Sequence, residues 1–296
     1  MLVTSQVTGA EARLLKVVAT VPDLAAIALE VGNERVEVTS IGRGRQNPHF
    51  VDPKPSFIVQ LNRADLLVDV GLELEIGWLP PLVVGARNGK IQDGGPGRVV
   101  ANLNVPLLEV PAGRVDRSMG DVHPMGNPHY LMDPVNGKIV AENIYQGLSR
   151  ADPASEPYFR QNLERFQRTI DRKLVEWLKD MAPYRGRKIV SYHKTYTYFA
   201  QRFGLVVAGQ IEPLPGIPPS PAHITQLIAL IRAQGVRLIV IEPWYDRKVP
   251  ELVAQQTGAA LVMLPPMVGG VPEIKTYTGL FDHSIALLVK AFGGIQ

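Results

Sequence analysis

The chain has 296 residues, 46% hydrophobic and 20% charged, with a net charge of +3; this exceeds what one core usually organises and suggests two globular domains. The basic residues are scattered and form no Lys/Arg-rich stripe, which argues against a nucleic-acid partner. Cysteine is absent, so disulfides, thiolate catalysis and Cys-ligated zinc are excluded, and imidazole and carboxylate are left as the strong metal ligands.

The opening, MLVTSQVTGAEARLLKVVAT, has neither a basic n-region nor an apolar core of secretory-signal length. No run of about 18 uncharged apolar residues occurs, so no segment is expected to span a bilayer. Short β-branched apolar runs then follow at 16–21, 36–41, 64–71 and 98–102. They read as strands of a buried parallel sheet, separated by stretches long enough for crossover helices. The rhythm resumes at 188–193, 205–211, 237–243 and 260–264. The expected fold is therefore α/β, with two lobes built on parallel sheets.

Between the lobes, Phe159, Leu163, Phe166, Ile170, Leu174, Trp177 and Met181 recur at spacings of three and four, which places them on one helical face. Ser155 with Pro157 signals a start, and Pro183 with Gly186 a stop. The spacing predicts a helix of about 25 residues, roughly 38 Å long, able to cross both lobes. The expected division is an N-terminal lobe at 1–151, a linking helix at 152–183 and a C-terminal lobe at 184–296.

Six histidines are present. His49 lies in GRGRQNPHFVDPKPS, a proline-stiffened loop after a predicted strand, and His129 lies in GDVHPMGNPHYLMDP. Both loops read Asn-Pro-His-aromatic, followed by Asp52-Pro53 in one and Asp133-Pro134 in the other. His193 ends the strand KIVSYH, where open α/β sheets gather ligand-binding groups. Three imidazoles at rigid positions point to a borderline divalent metal, and the cleft between the lobes is its expected site. His123 either joins them or sits in the mobile part of its loop. His223 and His283 read as structural or exposed.

These motifs resemble the metal-specific periplasmic substrate-binding proteins of ABC importers for zinc and manganese, the zinc-type cluster A-I group. The resemblance runs from KVVATVPDLAAIALEVG through NPHFVDPKPS, RADLLVDVGLELE, GNPHYLMDP and KIVSYHKTYTYFAQRFGL to SPAHITQLIALIRAQGVRLIVIEPWYD. It implies two α/β lobes joined by a rigid helix, and metal ligands at His49, His129 and His193. It further implies a monomer outside the cytoplasm that passes its ion to an ABC permease. Where many members carry a fourth, carboxylate ligand, this chain reads VMLPPMVGG and places Pro265. Glu242, Glu273, Asp282 or water then fill that role, and Glu242 equally suits an outer hydrogen-bond partner of a ligand. Zinc is expected ahead of manganese, because manganese prefers more oxygen donors. A rigid helix implies small lobe tilts, with release by loosening of the Asp121 to Gly126 segment.

Two alternatives stay open. A zinc-dependent hydrolase would use the same three imidazoles and an open position, but HExxH, GxSxG, Walker and Rossmann glycine motifs are all missing, and a non-enzyme is expected. A metal-binding surface adhesion protein fits the same fold.

Overall fold

The computed structural model describes residues 13–294 except 114, 116–119 and 121. Asp121 and the opening twelve residues thus lie outside the described residues.

The first sheet holds β1 (Leu15–Ala19), β2 (Val36–Ser40), β3 (Leu66–Asp69) and β4 (Arg98–Val100), in the order β2-β1-β3-β4. The second holds β5 (Lys188–Ser191), β6 (Val206–Gln210), β7 (Leu238–Ile241) and β8 (Ala260–Met263), in the order β6-β5-β7-β8. Every pairing is parallel. Seven of the eight strands fall inside the apolar runs of the sequence and β1 begins one residue before its run, because a strand covered on both faces has no need of polar alternation. The two sheets repeat one order, and each is covered by helices, so the molecule consists of two α/β lobes.

The first-lobe helices are α1 (Pro22–Gly32), α2 (Pro55–Arg63), α3 (Leu79–Ala86) and α4 (Pro134–Ala151). Pro22, Pro55 and Pro134 open their helices at a position whose N–H has no intrahelical partner anyway. Next comes α5 (Glu156–Met181), 26 residues long. Its Phe159, Leu163, Phe166, Ile170, Trp177 and Met181 are buried, and Leu174 is partly so. Polar bonds fix both halves of α5. Asn162 Nδ2 donates to Val31 O of α1 at 3.0 Å, and Trp177 Nε1 donates to Asp282 Oδ1 at 2.9 Å. Asp282 belongs to α9 (Tyr277–Gly293), the last helix after α6 (Thr197–Phe203), α7 (Pro221–Gln234) and α8 (Lys248–Thr257). One apolar cluster runs from β1 and β3 through α4, α5 and α9 to β5 and β7, so the lobes share a core rather than hanging on a linker.

The loops at the carboxyl ends of β2 and β8 also meet. A Cβ on Gly44 would lie 2.2 Å from both Gly269 C and Val268 O, an approach that only glycine permits. No described helix is long and apolar enough to cross a membrane.

Candidate metal centre

The two Asn-Pro-His loops use the same backbone device. In the first, the Asn47 side-chain oxygen accepts from the His49 N–H at 3.1 Å; in the second, Asn127 accepts from the His129 N–H at 2.9 Å. Each asparagine thereby closes an Asx turn that fixes the histidine two residues on. The intervening prolines remove a backbone donor and set φ. Trp78 Nε1 then holds the first loop through Pro48 O at 3.0 Å, and Tyr130 OH anchors the second to Val70 O at 2.8 Å.

The second loop is also tied to the other lobe. Asn127 Nδ2 donates to Lys194 O at 2.9 Å and to Glu109 Oε2 at 2.7 Å, while Tyr198 OH of α6 donates to Asn127 O at 2.9 Å. Asp133, the cap of α4, accepts Val135 N at 2.9 Å and pairs with Arg202 of α6 through two bonds of 2.8 and 2.7 Å. Asp52, its counterpart in the first loop, is exposed. The Asp-Pro repeat of the sequence therefore covers two different local structures.

His193 follows β5, and its carbonyl accepts from Ser191 Oγ at 2.6 Å. Its Nδ1 lies 2.8 Å from Glu212 Oε2. With Nδ1–H donating to that carboxylate, Nε2 turns its lone pair inward. There it meets His129 Nε2 at 3.1 Å, and His129 Nε2 in turn lies 3.3 Å from His49 Nε2. One ligand nitrogen from each of the three histidines lies within 4.8 Å of the others. Tetrahedral zinc with bonds of about 2.0–2.1 Å needs nitrogens roughly 3.3–3.4 Å apart, so the two short pairs fit and the third closes by a small adjustment.

Electrostatics favour the same use. Burial, reinforced by neighbouring imidazoles, holds the pKa values of His49 and His129 well below the ordinary histidine value, and burial brings His123 down to about 4. Neutral rings with converging lone pairs repel one another and attract a cation.

The other sequence candidates sit elsewhere. Glu242 is fully buried beyond His193, accepts from Thr195 Oγ1, and is pushed up to about 7 by burial. It is not in the three-histidine group. Asp282 is bound to α5, Glu273 is exposed, and Pro265 is buried. His223 contacts Gln210 O at 3.1 Å at the start of α7, and His283 lies partly buried on α9. His123 lies beside His49, their ring centroids 5.1 Å apart. Glu212 was not singled out by the sequence, although its position after β6 carries the strand-end signal that picked out Glu242.

The chain matches the family described as ZnuA, zinc-uptake complex component A, periplasmic, over residues 17–291. It belongs to that family. It is similar to the high-affinity zinc uptake system protein ZnuA of Brucella abortus (strain 2308), 30% identical over 163 residues, or 55% of this chain and 48% of that protein. The chain thus matches about half the length of that relative. It is also similar to the manganese ABC transporter substrate-binding lipoprotein PsaA of Streptococcus mitis, 28% identical over 284 residues, covering 94% of this chain and 83% of that one. Among solved structures, a crystal structure of ZnuA superposes with TM-score 0.78 at 23% identity, covering 94% of this chain and 99% of that one. The protein FpvC from Pseudomonas aeruginosa in complex with Mn2+ superposes with TM-score 0.80 at 20% identity, covering 96% and 100%. These superpositions establish that the ZnuA-family member described here has their two-lobed fold.

Proposed function

We propose that this ZnuA-family chain captures a divalent transition metal, zinc ahead of manganese, through His49, His129 and His193, and delivers it outside the cytoplasm to the permease of an ABC importer. The observation that carries the reading is the convergence of three imidazole nitrogens within 4.8 Å from loops of both lobes. The ion is cargo, and the chain acts as a monomeric carrier rather than an enzyme. Its working parts are the lobe at 1–151, the linking helix at 152–183 and the lobe at 184–296. Family membership supports transport. The similar proteins are named for both zinc and manganese, so the preference rests on the donors: three neutral imidazoles suit a borderline ion that accepts tetrahedral coordination.

Metal analysis of the chain purified without added metal, followed by competition between zinc and manganese, tests the cargo. Replacing His49, His129 or His193 by Ala is expected to weaken zinc binding steeply, while His223→Ala and His283→Ala bind as the parent does. Calorimetric affinities within about threefold of the parent, roughly 0.7 kcal/mol, for two of the three would overturn the site.

A further inference from the structure

Zinc sites generally fill four positions, and among the described residues His49, His129 and His193 alone form a group close enough to share one ion. Of the carboxylates beside them, Glu212 is engaged on Nδ1 of His193 and Glu242 holds Thr195 through Oε1. Among the described residues Glu242 Oε2 and His123 Nε2 are both buried without a hydrogen-bond partner. Of the two, His123 is the one that shares a ring contact with His49 and lines cavities together with the site histidines.

Its placement is specific. The His123 ring lies 5.1 Å from that of His49, while the three site rings are separated from one another by 5.3, 5.4 and 5.1 Å. A water-sized cavity of about 30 Å³ is lined by His123 together with His129 and His193. An open cleft of about 730 Å³ is lined by His123 together with His49. His123 therefore stands where the solvent-facing cleft meets the three-histidine group. A plain packing role does not account for it, since an apolar side chain would fill the same space without stranding a polar atom.

The backbone allows a short approach. Gly126 N donates to His123 O at 3.2 Å, closing a turn in which Pro124 fixes φ. Gly126 closes this turn at φ of +118°, a conformation open to glycine, and so gives it a hinge on the side of the second ligand loop.

We infer that His123 is a fourth imidazole ligand of the metal, brought onto the ion held by His49, His129 and His193 through a pivot of this turn. The inference rests on the metal-capture reading above. A four-imidazole set takes a borderline cation and disfavours ions that want oxygen donors.

X-ray absorption at the zinc edge, on the full chain loaded with zinc alone, counts the imidazoles, with affinity measured in parallel by chelator competition. The expected result is four imidazoles in the parent, three plus an oxygen in His123→Gln, and an affinity lower by about tenfold or more. Because position 123 lies in a loop, the variant should fold, and an unchanged melting temperature of its metal-free form checks this. Three imidazoles in both parent and variant overturn the inference, whatever the affinity does. Failure of the parent to bind zinc overturns the metal-capture reading itself.

Discussion

Glu212 and Glu242 each follow a strand in the tripeptide Ile-Glu-Pro, yet they meet different partners. Glu212 grips the outer nitrogen of His193, whereas Glu242 is turned to Thr195. Removing the first acceptor loosens the ring and lowers its basicity, so Glu212→Gln is expected to weaken zinc binding by about 10- to 100-fold. Glu242→Gln, on a carboxyl already raised to about 7, should stay within about threefold. Equal losses for the two variants, measured by chelator competition, would contradict this assignment. The difference between the twins was hidden in the sequence for a structural reason. The register of β6 on β5 shifts between Ile189 and Val190, which pair with Val207 and Gly209 and leave Ala208 unmatched. Such a bulge re-aims the side chains beyond it, and local pattern does not announce it. His49 and His129 were legible because each needs only its own Asn-Pro turn.

The buried titratable groups set a pH profile for the metal-free chain. Burial lifts Asp23 and Glu242 to about 7, and burial with Asp69 lifts Glu75 to about 8. The folded chain therefore binds these protons before the unfolded chain does, and stability rises as pH falls from above 8. His49, His129 and His123 are lowered, so below about 6.5 the unfolded chain takes up more protons and stability is lost. Each proton contributes a slope of about 1.4 kcal/mol per pH unit. Urea denaturation should show stability climbing from pH 8.5 to about 6.5, a shallow maximum, and a decline below about 4.5 where the acids no longer offset the histidines. A steady increase from pH 6.5 to 8.5 would be inconsistent with these shifts.

Among the elements, α9 supports the second ligand loop from behind. Tyr277 OH donates its one hydrogen to Leu131 O at 2.7 Å, with Asp133 O a longer contact at 3.2 Å, and its ring leaves no room at Gly137 of α4, where a Cβ would lie 2.2 Å from Tyr277 Cε1. Tyr277→Phe should cost about 1–2 kcal/mol, chiefly through the donor lost to Leu131 O, since Asp133 O keeps the N–H groups of Asn136 and Gly137. Gly137→Ala should cost about 1–3 kcal/mol through overpacking, and should also weaken zinc binding because it displaces the loop. Urea midpoints paired with zinc titration separate these effects; a Gly137→Ala chain as stable as the parent would refute the contact. The helix periodicity of α5 was plain in the sequence, since seven apolar residues repeat along 23 positions. The seat of α9 was not, because it depends on pairs such as Tyr277 and Gly137 that lie 140 residues apart.

At the scale of the whole molecule, the continuous core and α5 oppose wide opening. Zinc should raise the melting temperature, with stabilisation of about 4 kcal/mol at a thousandfold excess over Kd, while the radius of gyration in solution scattering barely changes. A large contraction on binding would favour hinge closure instead. Gly44 offers a sharper test. Its neighbours are the backbone atoms of Val268, Gly269 and Gly270, which cannot step aside as a flexible side chain would. Gly44→Ala must spread the loops after β2 and β8, and His49 lies on the same loop as Gly44. The variant is expected to fold and to bind zinc about tenfold more weakly, about 1.4 kcal/mol. Unaltered affinity would show that this lobe contact has no bearing on the site.

Asn127 carries one more consequence. One of its side-chain atoms fixes His129 and another holds the carbonyl beside His193, so two imidazoles from different lobes are yoked before any ion arrives. Ordering entropy that binding would otherwise cost is already spent during folding. Loading then needs little rearrangement, and the affinity gained appears as slow escape. On the metal-capture proposal above, such a yoke gives a long residence time, and a receiving partner would have to pull it apart, so that docking energy rather than spontaneous release would drive the handover.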